Sequence, residues 1–250
     1  MSERYILPEQ GGNPTLQIIS PSDIVALGTS RGGKPSNEDR IGYVQVPKGD
    51  RICTADGHWG DKASATIIRH WVNPDMPFPT SRQQAVRTVK QIEEGLYLDT
   101  GNPHMDASKD RPPEASFVAM ELGKHVLRVV GYGDCRLLVA RLIDGVPRPY
   151  YEHAKLASWL GAFSMLGLRD RVPVTQGTVY AQLPVKAGDT VIAYTDGLDE
   201  CKYETPTIPI DEIMQQACVQ TPKSAVESLI QLALDRGGED NVSVAVMRVS

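Results

Sequence analysis

The sequence predicts an α+β chain in which two antiparallel β-sheets are flanked by helices. Three observations carry that expectation. Strand-like apolar runs arrive in clusters with helical patterns between them, not in the strict strand–helix alternation of a doubly wound parallel sheet. Within a cluster, runs are joined by short turn-forming stretches such as Pro47-Lys48-Gly49-Asp50, which is hairpin spacing. Across 250 residues no stretch reads as a linker, an internal repeat or a low-complexity segment, which argues for a single domain over 23–250 behind an irregular N-terminal lead-in over 1–22.

The elements follow in order. Residues 8–22 are rich in Gly, Pro and Ser and read as irregular. Strand patterns then occupy 23–30, 40–46 and 51–55, the last stopping at Asp56-Gly57-His58. A helix is expected over 61–72. A stronger one covers 81–98, where Ala85, Val89, Ile92 and Leu96 recur on one face and Ser81 is placed to cap the start. Residues 99–113 form a polar, proline-bearing loop. Strands return at 115–122, 125–132 and 136–142, the first two joined by Gly123-Lys124. The stretch 143–188 is mixed, with a short helix expected over 153–163. A strand at 189–195, helices at 209–220 and 223–237, and a strand at 241–249 complete the chain.

Composition narrows the function. A net charge of −5, with basic residues scattered and not striped, speaks against nucleic-acid or membrane-surface binding. No apolar run reaches the roughly 20 residues of a membrane span, and the N-terminus lacks the apolar core of a signal peptide, so a cytoplasmic protein is expected. Cys53, Cys135, Cys201 and Cys218 are widely spaced without a C-x-x-C pair. Neither a zinc site nor a disulfide framework is expected, and Cys53 and Cys135 read as small buried residues.

The chemistry gathers at strand ends. Asp39 precedes one predicted strand, Asp56 follows another, Asp134 sits in Gly-Asp-Cys-Arg, Asp196 opens Asp-Gly-Leu-Asp-Glu, and Asp240 precedes the last strand. Asp and Gly are ordinary turn residues, so any one of these sites reads first as a turn. As a set they differ: carboxylates brought to one edge repel unless a cation neutralises them. An all-oxygen donor set suits Mg²⁺ or Mn²⁺ and not zinc. Glycines 57 and 197 would let the backbone approach a ligand closely.

The ordered segments KPSNEDR, TADGHWG, GYGDCR, YTDGLDE and GGEDNVSV resemble the motifs of the metal-dependent protein phosphatases, the protein phosphatase 2C family, from about residue 23 to 249. The resemblance implies a four-layer αββα sandwich. It implies a centre of two Mn²⁺ or Mg²⁺ ions, with a third ion in many members. Asp56 would bridge two ions, and Asp196 and Asp240 would complete one shell. Glu38 and the Gly57 carbonyl would serve the other ion, with Asp39 as a ligand or its support, and Asp134 would bind the third. A metal-activated water would attack phosphorus in line, without a covalent phospho-enzyme. His58 would give the leaving oxygen its proton. The implied substrate is a phosphoserine or phosphothreonine protein in bacterial signalling, opposite a cognate Ser/Thr kinase or on its targets.

The sequence departs from the family pattern in four places, one being the strand at 115–122, ASFVAMEL, where the family often has Gly-Ser/Thr-Thr. Lys34 stands where an arginine usually grips the phosphate, offering a point charge in place of a bidentate fork, and Arg31 is the nearby substitute. Cys135 stands where Ser is usual. The compact 143–188 region is more like the sporulation-type and stress-regulator branch. Two rival readings follow: a catalytically silent binding or regulatory module on the same fold, and a phosphatase for small phosphate esters.

Overall fold

The computed structural model describes residues 3–8, 15–99, 113–153, 160–161, 172–200 and 208–250. Its strands are β1 (Arg4–Leu7), β2 (Gln17–Ser22), β3 (Val25–Ser30), β4 (Arg40–Val46), β5 (Gly49–His58), β6 (Glu114–Leu122), β7 (Val126–Tyr132), β8 (Arg136–Ile143), β9 (Val146–Glu152), β10 (Leu160–Gly161), β11 (Val179–Pro184), β12 (Thr190–Tyr194) and β13 (Val242–Arg248). Its helices are α1 (Lys62–Trp71), α2 (Arg82–Asp99), α3 (Val174–Gly177), α4 (Ile210–Val219) and α5 (Pro222–Asp235).

The strands form two antiparallel sheets. One runs β1-β4-β5-β6-β7-β11, with β10 on β6; the other runs β2-β3-β13-β12-β8-β9. Period-2 side-chain alternation sorts residues into three apolar layers. On β6, Ala115, Phe117 and Ala119 face α1 and α2, while Val118 and Met120 face the opposing sheet. Trp71 of α1 fills the outer layer, its ring 5.3 Å from Phe78 and 5.8 Å from Phe117. The second sheet packs its inner face with Leu27, Leu137, Val139 and Met247, and its outer face against α4 and α5. Each fully buried aliphatic or aromatic side chain contributes about 1.5–3 kcal/mol. The layers are therefore helix, sheet, sheet, helix.

Most predicted elements are present. Ala85, Val89, Ile92 and Leu96 are all buried, and the Ser81 hydroxyl accepts the Gln84 N–H at 3.3 Å as an N-cap. Cys53 and Cys135 are fully buried free thiols.

Three expectations are corrected and a fourth, the mixed stretch, is resolved into elements. The lead-in expected to be irregular carries β1, paired to β4, and β2, paired to β3. The strand expected to stop before Asp56 runs on, with Asp56 opposite Ser116, Gly57 opposite Ala115 and His58 opposite Glu114. The 143–188 stretch holds the edge strands β9 and β11 and the single helical turn α3. The turn after β6 takes Gly123 to His125, one residue beyond the expected pair. The helix expected over 153–163 and the loop over 99–113 lie mainly outside the described residues; within the first, Leu160 and Gly161 pair with β6 as strand. Among the described residues, no helix is long and apolar enough to cross a membrane.

Candidate metal centre

Antiparallel register brings the acids to one end of the sandwich. The start of β4, the end of β5 and the start of β6 lie side by side in one sheet. The start of β8, the end of β12 and the start of β13 lie side by side in the other. Asp39 therefore precedes β4 at the same end where Asp56 closes β5. Asp134 sits in the turn between β7 and β8, Asp196 opens a 3₁₀ turn directly after β12, and Asp240 lies just before β13. Strand periodicity also aims Asp56: with Ile52 on the inner face, Asp56 points between the sheets.

Three carboxylates converge there. Asp56, Asp134 and Asp196 each offer an oxygen, and these atoms lie within 4.8 Å of one another. Burial pushes the Asp56 carboxyl well above the usual range, and Asp196, Asp39, Asp134 and Asp240 push it further. Asp196 is raised by burial and then by Asp134 and Asp240. Asp39 is raised to about 7 by burial, against the pull of its Thr195 hydrogen bond. One of its oxygens, Oδ1, is buried with no hydrogen-bond partner. So much negative charge at so little solvent exposure is unfavourable as it stands. The donors are all hard oxygens, and the crowding is what a divalent cation relieves; the set fits Mn²⁺ or Mg²⁺.

No protein-family model and no curated protein matches the sequence. Solved structures do match. The Mycobacterium tuberculosis serine/threonine phosphatase PstP/Ppp is 20% identical with a TM-score of 0.65, covering 94% of this chain and 99% of its own. The PstP catalytic domain has also been solved in complex with two manganese ions. A bacterial serine phosphatase, 17% identical, gives a TM-score of 0.68 over 96% of this chain and 100% of its own. The S. agalactiae serine/threonine phosphatase, 19% identical, gives 0.65 over 94% and 100%. The chain has the fold of the metal-dependent protein phosphatases.

On this phosphatase fold the sequence-predicted residues divide. Asp56, Asp134 and Asp196 form the tight cluster, with Asp39 and Asp240 close enough to act on it electrostatically. Glu38 stands outside the cluster: its carboxylate accepts the Gly60 N–H at 3.0 Å, and its main-chain carbonyl accepts the Ser64 hydroxyl at 2.6 Å. His58 is half-buried, its Nε2 3.9 Å from Asp56 Oδ2. Lys34 Nζ lies 3.2 Å from Asp240 Oδ1. Arg31 meets the site through its main-chain carbonyl, which accepts from Asn241 at 2.9 Å.

The two Asp-Gly pairs of the phosphatase fold have a packing reason. A Cβ on Gly57 would lie 2.4 Å from the Glu38 carbonyl oxygen, and one on Gly197 would lie 1.9 Å from that of Asn241. Only glycine lets these segments close on each other.

Sequence reasoning passed over the residues that tie the acids together. Asn241 donates through Nδ2 to the Arg31 and Ser36 carbonyls, both at 2.9 Å, and accepts the Glu38 N–H at 2.8 Å. The Thr195 hydroxyl bridges the sheets, donating to Asp39 Oδ2 at 2.7 Å and accepting the Ser243 N–H at 2.9 Å. Ser116, directly across from Asp56, accepts the Cys135 N–H at 3.2 Å and so holds the Asp134 turn. Asn241 and Thr195 each adjoin a named aspartate, so adjacency was the available signal. Ser116 becomes legible only once β5 and β6 are paired.

Proposed function

We propose that this protein is a metal-dependent serine/threonine phosphoprotein phosphatase, with the activity carried by a single domain that takes in β1 and β2 as well as the expected 23–250. The observation that carries the reading is the convergence of Asp56, Asp134 and Asp196 at the inter-sheet mouth of this fold. In our reading Asp56, Asp196 and Asp240, with Glu38, Asp39 and the Gly57 carbonyl, would hold two cations, and Asp134 would hold a third. When bound, Mn²⁺ or Mg²⁺ supplies a water of lowered pKa and neutralises charge on the phosphoryl oxygens.

The remaining chemistry belongs to the chain. His58 gives the serine or threonine oxygen its proton as the P–O bond breaks; its partial exposure beside Asp56 suits contact with a leaving alcohol. Lys34 and Arg31 supply positive charge for the phosphate. Cys135 takes no part: burial, then Asp56 and Asp134, push its thiol well up, so it stays neutral. A role in bacterial signalling is supported by PppA of Pseudomonas aeruginosa, described as a key regulatory component of T6SS, which shares the fold at a TM-score of 0.59 and 20% identity, covering 94% of this chain and 98% of its own.

The test is phosphate release from phosphoserine and phosphothreonine peptides with Mn²⁺ or Mg²⁺. Release that stops on EDTA treatment and returns with metal supports the reading. Tight peptide binding without turnover contradicts it.

A further inference from the structure

A second charged feature lies beside the metal centre, on the outer face of the first sheet. A cleft of about 490 Å³ opens between edge strand β1 and the first two turns of α1. Arg4, Arg40, Lys62 and Arg69 line it, with Asp61 as the one carboxylate among the described lining residues. The chain as a whole carries a net charge of −5, so this concentration of cations runs against its average.

Arg40 is spent internally: its guanidinium binds Asp61 and donates to the Asn37 and Asp39 carbonyls at 3.1 and 2.8 Å. Arg4, Lys62 and Arg69 are exposed at the cleft. Lys62 is the first residue of α1, where the helix dipole disfavours a cation, and no acid occupies that first turn. Arg69 lies close enough to lower the Arg40 pKa further, so the cations repel one another. An anion from outside would relieve both costs.

Position says which anion. Arg40 directly follows Asp39, and the carbonyls it holds flank Glu38. Gly60, whose N–H binds the Glu38 carboxylate, directly precedes Asp61. The cleft and the metal centre therefore share the same two chain segments. Partly buried Ile6 adds an apolar strip for a peptide's aliphatic stems.

We propose that this cleft receives acidic side chains flanking the phosphorylated residue of a protein substrate, so that the protein prefers acidic phosphosites. The inference rests on the phosphatase reading above.

The experiment compares phosphothreonine peptides bearing glutamates on the N-terminal or C-terminal side with glutamine counterparts. The enzymes are the wild type, Lys62→Glu/Arg69→Glu, and the milder Lys62→Ser/Arg69→Gln. Both positions are exposed, and para-nitrophenyl phosphate serves as the flank-free control. The expected result is a preference of about tenfold in kcat/KM for one acidic peptide, falling with salt as rim electrostatics do. Both double variants lose that preference while hydrolysing para-nitrophenyl phosphate at the wild-type rate. Equal treatment of acidic and neutral peptides by the wild type would overturn the inference, as would an equal loss on both in the variants. Should no substrate be hydrolysed, the phosphatase reading fails, and fluorescence anisotropy of the same labelled peptides still decides this one. Binding of the acidic peptide that the double variants abolish supports it; no selective binding overturns it.

Discussion

The Lys34 ammonium lies 3.2 Å from Asp240 Oδ1, so the lysine expected to hold a phosphate is held by one of the acids expected to hold a metal. The same Asp240 oxygen also accepts the Asn241 N–H at 2.8 Å. A cation supplied by the chain thus competes at Asp240 with a cation from solution. Removing it should have opposite effects on two ligands. Lys34→Met is expected to tighten Mn²⁺ binding severalfold by calorimetry and to raise the KM for a phosphopeptide. Unchanged values of both would remove Lys34 from the site.

The buried acid cluster costs stability when no metal is present. Asp56→Asn keeps the shape of the side chain and deletes the charge that four other aspartates repel. The variant should therefore melt higher than wild type in EDTA at pH 8, by about 2–5 °C for a domain of this size. It should also lose the Mn²⁺-induced rise in Tm. A lower Tm in EDTA would mean that the Asp56 carboxylate is stabilising as it stands.

The same cluster sets a pH dependence. Asp39 moves from 3.8 to about 7 on folding, and burial is the main cause. Between those values the folded state binds more protons than the unfolded chain, so stability falls as pH rises through the window. Asp56 and Asp196 are shifted in the same direction and add to the trend, outweighing His153, whose imidazole pKa burial lowers to about 4 and which acts in the opposite sense. In EDTA the Tm should decline from about pH 4 to pH 7, the Asp39 window. The gain in Tm from Mn²⁺ should be larger at pH 8 than at pH 5, because protons and metal compete for the same oxygens. A metal-free Tm that rises across that range would contradict the assignment.

Asn241 holds three chain segments at the site, through the Arg31 and Ser36 carbonyls and the Glu38 N–H. Asn241→Ala removes the side-chain partner of these part-buried groups, a loss of about 1–3 kcal/mol in urea unfolding. Mn²⁺ affinity should fall as well, since Asp39 and Asp240 adjoin the freed segments. Full stability in the variant would show that water replaces the side chain.

The core elements were legible because their patterns were strong. The three- and four-residue recurrence of Ala85, Val89, Ile92 and Leu96 could only be an amphipathic helix, and β6 is a long apolar run. The misses are mainly edge elements. Strands β2 and β9 carry Pro21, Pro147 and Pro149, which are tolerated at sheet edges but read in sequence as breakers. Strand β5 was cut short at Asp56-Gly57 because that pair signals a turn. The structure keeps it in the ladder, with Ser116 and Ala115 opposite. At the site, the acids were visible as a set of strand-end aspartates. Their mutual arrangement was not, because it depends on how two sheets stack. The bond from Thr195 to Asp39 crosses between sheets, and the turn of Glu38 toward Gly60 follows from a local loop path.

The most direct test is para-nitrophenyl phosphate hydrolysis by wild type and Asp56→Asn, with Mn²⁺ and with EDTA, alongside calorimetric metal titration. The account predicts that wild type binds at least two Mn²⁺ ions and hydrolyses the ester only with metal, and that Asp56→Asn, though folded, loses about a hundredfold or more of that rate. Wild-type protein that is folded, binds no Mn²⁺ and releases no nitrophenol would contradict it.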